Sequence, residues 1–364
     1  MTIIEICYLI LLVSFSIQFI YITLFFSRLS FHKNNTQNNI FPISIIISAR
    51  NEEVNLQQNL GVILEQDYLE FEVIVVNDRS WDDTLLILKK IKDKYQHLKI
   101  VNIPDNGTDQ FGKKFALTLG IKAAQHEHML FTDADCFPTN KFWLQEMSKG
   151  FLNNKSLVLG ASGYNKIKGF LNRIIRYDTA HIAVMYLGFA KSKVPYMGVG
   201  RNLAYTKSLY EKIRGFKSHY HISSGDDDLL VNQTANSSNT SVVFGENTIT
   251  ISEPKKSWSS WFKQKKRHHS TNSMYKLPHQ LLLTLYHTSL FSFYLSAIIL
   301  LFSSPYTLLG ASFLIIRHIL LILIYYKPFK ILLCKDLLIA IPFYEIILLI
   351  CQPLFQFSLK SVRK

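Results

Sequence analysis

The chain has 364 residues, 48% of them hydrophobic, and a formal net charge of +14. That length accommodates one large or two ordinary domains plus membrane segments. Four scattered cysteines (Cys7, Cys136, Cys334, Cys351) show no CxxC or Cys/His spacing, which argues against a zinc module and a disulfide scaffold. The positive charge gathers beside apolar segments, notably at Lys255, Lys256, Lys263, Lys265, Lys266 and Arg267, and no nucleic-acid-binding motif accompanies it. Anionic headgroups attract such clusters at roughly 1 kcal/mol per residue, so the expected partner is an anionic membrane surface and no nucleic acid.

In chain order, Ile6 to Phe26 carries no charged residue over 21 positions, enough to cross a bilayer as a helix. Met1–Glu5 lacks a basic stretch and no small-x-small site follows, so residues 1–27 read as an uncleaved anchor. Residues 28–42 are polar and Asn-rich, a linker. The spacing then predicts strands over Ile43–Ser48, Phe71–Val76, Lys99–Ile103 and His128–Thr132, alternating with helices over Glu52–Gln66, Asp82–Leu98 and Lys113–Gln125. Such alternation implies an α/β fold, a mostly parallel sheet with helices on both faces, over a domain of 43–254. Ser223–Ser241 is polar and includes a loop.

Polar residues stand at three strand ends: Ala49-Arg50-Asn51-Glu52-Glu53, Asn77-Asp78-Arg79-Ser80 and Asp133-Ala134-Asp135. Ligands of parallel sheets collect at the carboxyl ends of strands. Asp133 and Asp135 close an apolar run and, two apart on a strand, share a face, so both can meet one divalent cation. Hard oxygen ligands and a diphosphate suit Mg²⁺ or Mn²⁺. No Gly-x-Gly-x-x-Gly follows the first strand and no Walker lysine loop occurs, which demotes dehydrogenase and P-loop readings.

Residues 255–280 combine basic and aromatic residues as an interfacial helix, with Trp258, Trp261 and Phe262 entering the headgroup boundary. A C-terminal membrane region, 281–359, holds the apolar segments Leu281–Phe302 and Leu308–Tyr326, and a third, Leu337–Leu359, which leaves three or four spans open. A basic tail occupies 360–364. Arg28 and Lys33 after the first span, and the basic run before the second, place 28–280 in the cytoplasm. If the C-terminal spans form a hairpin turning at 327–336, Arg317 and Glu345 sit at similar depth and pair, because buried membrane charges do so.

Seven segments in order carry a family likeness: ISIIISARNEE (Ile43–Glu53), VIVVNDRSWDDT (Val73–Thr84), GKKFALTLG (Gly112–Gly120), FTDADCFP (Phe131–Pro138), YMGVGRNLAYTK (Tyr196–Lys207), GDDDLL (Gly225–Leu230) and QKKRH (Gln264–His268). Together they resemble the membrane-bound family 2 glycosyltransferases, inverting enzymes with a GT-A fold. The resemblance implies a nucleotide-sugar donor, a divalent metal, and transfer with inversion at the anomeric carbon, and the basic, aromatic interfacial stretch points to a membrane lipid or lipid-linked acceptor. It implies that Asp78 holds uracil, and that Arg50, Glu52, Lys113 and Asp133 line the donor pocket. Asp135, with Asp133, holds the metal. Asp227 is the base, with Asp226 its rival because the alignment is ambiguous by one residue. Gly200, Arg201 and Asn202 match an acceptor-side segment. Gln264 and Arg267, three apart and so on one helix face, match the donor-side Gln-x-x-Arg pair, and His268 stands where the family has Trp.

Other readings stay open for several of these residues. Asp78 and Ser80 also suit a turn and helix cap, Glu52 a helix start, Lys113 a solvated helix face, and Asp226–Asp228 a solvated acidic turn. Thr118 stands where the family has Asn, so the lysine segment is only partly kept, and His268 in the place of Trp weakens a processive reading. A processive polysaccharide synthase and a non-catalytic nucleotide-binding subunit are the alternatives to single transfers.

Overall fold

The computed structural model describes residues 2–37, 41–105 and 112–357. The chain divides into two compact units. One comprises Met1–His32, Lys166–Ser192 and Lys255–Lys364, and the other Lys33–Asn165 and Lys193–Pro254.

The second unit is built on a seven-stranded sheet. Its strands are β1 (Ile43–Ala49), β2 (Phe71–Asp78), β3 (Leu98–Ile103), β4 (His128–Asp133), β6 (Leu157–Leu159), β8 (Leu203–Thr206) and β9 (Thr240–Val242), in the order β3-β2-β1-β4-β8-β6-β9. The first four are mutually parallel, while β8 runs antiparallel to both β4 and β6. A smaller sheet pairs β5 (Cys136–Pro138) and β7 (Ser162–Tyr164) with β10 (Thr250–Ser252) between them. The strands β1 to β3 are laid down in one direction from β1, and β4 is added on its other side. The direction reverses at β1, and a crevice opens there at the carboxyl ends.

Side chains alternate across β1. Ile43, Ile45 and Ile47 pack with Leu56 and Leu60 of the helix Glu53–Leu64, Leu88 of the helix Thr84–Lys92, and Trp143. On the opposite face the helix Gly112–Ala123 lies against β1 and β2. Gly120 lets it approach, since a Cβ there would stand 2.7 Å from Ile46 Cγ2 and 3.1 Å from Val76 Cγ2. The helix expected over Asp82–Leu98 covers only Thr84–Lys92. Residues 93–97 instead turn the chain back, so that the Val73 N–H donates to His97 O at 3.0 Å and β3 starts at Leu98. Tyr95 still packs on the core from this turn.

The first unit is helical. Ile3–Ser30, Leu277–Leu301 and Thr307–Ile331 are long and apolar enough to cross a membrane, with mean hydropathies of 2.3, 1.4 and 2.2. Ile341–Phe357 is apolar but has 17 residues, shorter than the other three and at the low end of the roughly 17–25 that a span takes. The basic residues Lys360, Arg363 and Lys364 lie outside the described residues. Arg317 and Glu345 pair as the hairpin argument expects: Nη1 meets Oε2 at 2.6 Å and Nη2 meets Oε1 at 2.9 Å. Gln18 Oε1 accepts from Arg317 Nη2 at 2.9 Å, and Gln18 Nε2 donates to Ser289 Oγ at 2.8 Å. Tyr294 Oη donates to Glu345 at 2.5 Å. One polar network thus joins four helices, with both charges only 2% exposed.

Two stretches differ from their sequence reading. The helix Phe170–Lys191 falls inside 43–254 but belongs to the first unit, where Ile174, Ile175, Tyr177, Val184 and Leu187 are buried. On the helix Trp258–His269, Trp261 is not at an interface but 1% exposed, packed edge-on against Phe355. Lys265 of the same helix is buried in an ion pair with Asp178 at 2.8 Å. Of the aromatic residues expected to meet lipid there, Trp258 is the exposed one, at 42%.

Candidate active site

Register brings the strand-end residues level. Ala49 lies opposite Asn77, and Ser48 opposite Asp133, so Asp78 and Asp133 end the two strands that flank β1. The turns beyond β1 and β2 knit together. Asn51 and Arg79 both adopt left-handed backbone, at φ 57° and 53°. The Asn51 N–H donates to Ser80 Oγ at 2.9 Å, and the Trp81 N–H to Asn51 Oδ1 at 3.0 Å. The Glu52 N–H donates to Thr84 Oγ1 at 2.9 Å, while the Glu52 carboxylate accepts from Asn55 Nδ2 at 2.5 Å. Glu52 therefore holds the position ahead of the first turn of its helix, and Arg50 beside it is exposed. Asp78 is 3% exposed and accepts from Arg79 Nε at 2.8 Å, an ion pair between two buried side chains at the end of β2.

The acids converge on one lysine. Lys113, in the first turn of the helix Gly112–Ala123, places Nζ 2.8 Å from Asp133 Oδ1 and 3.0 Å from Asp226 Oδ2. Burial opposes its charge, but Asp133 and Asp226 outweigh that and hold its pKa well above the ordinary lysine value. Burial alone would raise Asp226; Lys113 overrides it and holds this carboxyl below the usual range. Asp227 accepts from the Gly200 N–H at 2.6 Å and the Asp228 N–H at 2.7 Å. Burial, then the neighbouring Asp226 and Asp228 carboxylates, push Asp227 up to about 7. Two adjacent carboxyls with separated proton affinities suit one to hold charge and the other to exchange a proton. A small cavity opens here, lined by Lys113, Phe131, Asp133, Gly200, Asp226 and Asp227.

Asp133, Asp135 and Cys136 present ligand atoms all within 4.8 Å of one another. Cys136 is fully buried, its Sγ donates to Asp135 Oδ1 at 3.4 Å, and burial with the two aspartates raises its thiol pKa well above normal. It stays protonated, so the donors offered to a cation are carboxylate oxygens, which fit a hard Mg²⁺ or Mn²⁺. Arg201 stacks its guanidinium 4.5 Å over the Tyr164 ring and donates weakly to Gly163 O and Ser252 Oγ, both at 3.3 Å. Its charge also acts on Asp135 and Asp133.

The structure corrects Asn202 as an acceptor contact. Its side chain is fully buried, with Nδ2 donating to Ala161 O and Thr248 O, both at 2.7 Å, and Oδ1 accepting from Trp143 Nε1 at 3.1 Å. An amide so saturated braces the loop behind Gly200. Gln264, Arg267 and His268 belong to the other unit, on the helix Trp258–His269, where Arg267 and His268 are exposed and Gln264 is half-buried. Lys114 was missed by the sequence reading. Buried to 4% exposure, it donates to His219 O at 2.6 Å and Ile222 O at 3.0 Å, tethering the loop that leads to Asp226. Its spacing with Leu117 and Ile121, both buried, carried that signal.

A mostly parallel sheet reversing at β1, with acids at its strand ends, is the arrangement expected of a GT-A glycosyltransferase fold. The sequence model described as Glycosyl transferase family 2 matches residues 44–214, and these residues form a domain of that family. Probable glycosyltransferase YdaM of Bacillus subtilis (strain 168) is 28% identical over 241 residues, 62% of this chain and 54% of that protein. Poly-beta-1,6-N-acetyl-D-glucosamine synthase of Staphylococcus epidermidis is 36% identical over 110 residues, 30% of this chain and 25% of that one. The chain thus spans a quarter to about half the length of these curated relatives. Among solved structures, mannosyltransferase PcManGT from Pyrobaculum calidifontis, in complex with GDP-Man and Mn2+, superposes with a TM-score of 0.59 at 17% identity. The match covers 95% of this chain and 99% of that one, a likeness of fold.

Proposed function

We propose that the protein is an inverting, metal-dependent glycosyltransferase that moves a sugar from a nucleotide-sugar donor to a membrane lipid or lipid-linked acceptor. The observation that carries this reading is the Lys113 bridge: a single ammonium lies within 3.0 Å of both Asp133 and Asp226. The acids suited to a metal–diphosphate and those suited to a base therefore share one pocket.

Asp227 takes the proton of the acceptor hydroxyl as that oxygen bonds to the anomeric carbon. The bond from that carbon to the diphosphate oxygen breaks on the opposite face, and the nucleoside diphosphate leaves with the electron pair. Asp226, held ionised by Lys113, raises the proton affinity of Asp227 so that it works near neutral pH. The Gly200 N–H orients the Asp227 carboxylate. Asp135 and Asp133 are the residues that would hold Mg²⁺ or Mn²⁺, which when bound supplies neutralising charge to the diphosphate. Lys113 and Arg201 add fixed positive charge beside these acids. Asp78, Arg50 and Glu52 line the nucleotide end. A carboxylate accepts from the ring N–H of uracil, the reading favoured here, and equally from that of guanine.

The membrane acceptor is supported by chain connectivity, since apolar helices precede and follow the catalytic sequence. The cytoplasmic placement is supported by the basic residues that border those helices on the catalytic side. A processive synthase is the second reading, favoured by the similarity to a polysaccharide synthase and opposed by His268 in the place of Trp.

Purified protein in detergent, given a panel of UDP- and GDP-sugars with Mn²⁺ and a native lipid extract, tests the proposal by nucleoside diphosphate release. Metal-dependent release from one donor, lost in Asp135→Ala, is expected, and a chromatographed product carrying a single added sugar supports single transfer. Donor binding without release across the panel overturns the enzymatic reading, and a polymeric product selects the synthase.

A further inference from the structure

One surface of the first unit gathers exposed aromatic side chains from three helices. Phe170, Trp258 and Phe343 come from three distant stretches of sequence, yet their rings meet. The centroids of Phe170 and Trp258 are 6.3 Å apart, and those of Phe170 and Phe343 5.9 Å apart. All three are exposed, at 46%, 42% and 53%. Soluble surfaces rarely gather three large aromatic rings without a partner to cover them.

The stretches that supply these rings are also basic. Lys168 and Arg173 flank Phe170, Lys255 and Lys256 precede Trp258, and all four are exposed. The acids nearest in sequence to Phe343 are already engaged: Glu345 pairs with Arg317 at 2.6 Å, and Asp336 has Arg176 Nη2 2.7 Å from one oxygen and Lys166 Nζ 3.0 Å from the other. Neither is left to neutralise the surface lysines.

The level of the patch follows from the apolar helices. Phe343 stands in the first turn of Ile341–Phe357, and the short turn Lys335–Leu337 joins that helix to the end of the spanning helix Thr307–Ile331. The end of the spanning helix and the turn after it carry the exposed charges Lys330, Lys335 and Asp336, which belong at the headgroup level, and Phe343 follows them in sequence. Aromatic rings favour this depth, and lysines beside them face lipid phosphates.

We infer that Phe170, Trp258 and Phe343, with Lys168, Arg173, Lys255 and Lys256, form a docking patch for anionic phospholipid at the membrane surface. The rings insert at the headgroup boundary, and the cations recruit negatively charged lipid to it. The inference rests on the membrane placement proposed above and not on the transfer chemistry, so its test reads no activity.

The test uses full-length protein in phosphatidylcholine nanodiscs containing a minority of phosphatidylglycerol, with bromine near the headgroup on one lipid or the other. Tryptophan fluorescence is the readout, and Trp258→Phe identifies the share that comes from the patch. Both brominated lipids are expected to quench Trp258, with phosphatidylglycerol severalfold more effective than its abundance predicts. Lys168→Gln/Lys255→Gln/Lys256→Gln should abolish that excess while quenching by phosphatidylcholine persists, and the corresponding triple Arg variant should retain it. The inference is overturned if Trp258→Phe leaves quenching unchanged, or if phosphatidylglycerol quenches in simple proportion to its abundance. It is also overturned if a polyprenyl phosphate displaces the excess at trace amounts, since the patch then serves the acceptor's phosphate instead.

Discussion

Replacing Asp227 by Asn keeps the side-chain shape and removes its basicity. A positioned general base contributes about 10²–10⁴-fold, so kcat/KM should fall by that factor while donor affinity holds. In the native protein, with Asp227 near 7, about one-tenth is ionised at pH 6 and about nine-tenths at pH 8. The rate should therefore climb roughly ninefold across that interval. Stability moves oppositely. The folded value lies above the 3.8 of the free group, so the fold binds this proton more tightly than the unfolded chain does. The resulting stabilisation is complete below about pH 4 and is lost as pH rises through 7. Three units at about 1.4 kcal/mol each bound the effect at about 4 kcal/mol. The Asn oxygen can accept from only one of the two N–H donors now held at 2.6 and 2.7 Å, which costs about 1–3 kcal/mol at every pH. Asp227→Asn should thus melt below the native protein at pH 4 and level with it or above it at pH 8. The assay is nucleotide release from pH 5.5 to 9, beside thermal melting at the two pH extremes. An unchanged rate profile, or a melting difference that is identical at both pH values, would refute the assignment.

Lys113→Met removes the cation between Asp133 and Asp226, so both Asp226 and Asp227 should gain proton affinity. The acid limb of the rate profile should move to higher pH and kcat/KM should fall about 10–100-fold; a limb that stays in place would count against the bridge. Gly200→Ala places a Cβ 3.3 Å from Asp227 Oδ2, forcing the short N–H contact to lengthen. A drop in kcat of about tenfold, equivalent to ~1.4 kcal/mol, with little change in melting is expected, and an unaffected kcat would show that this contact does not orient the base. Glu345→Gln leaves the Arg317 charge buried without its counter-charge and should cost about 3–5 kcal/mol, seen as poor expression and a lowered melting temperature. Arg317→Met/Glu345→Met should recover much of that loss, and native-like melting of the single variant would show that the pair is not structural.

Local patterning determined much of this protein. Apolar runs of 4–8 residues alternating with helical periodicity located β1 to β4, because each element's burial repeats along its own stretch of chain. The same locality exposed Asp78, Asp133 and Asp135 at strand ends, and the lengths of the three long apolar helices. The Arg317–Glu345 pair was also legible, because two antiparallel helices of equal rise bring residues equidistant from their turn to the same depth. Tertiary structure alone decided which side of a segment faces which neighbour. Asn202 directly follows Gly200 and Arg201 in sequence, yet Ala161, Thr248 and Trp143 draw its amide inward. Trp261 and Lys265 looked like membrane-facing residues, but Phe355 and Asp178, contributed from far along the chain, enclose them. The proton affinity of Asp227 and the bridging position of Lys113 belong to the same class. Each is set by what folding assembles around the side chain: Lys113 reaches Asp226 from more than a hundred residues away, and burial joins the adjacent Asp226 and Asp228 in raising Asp227.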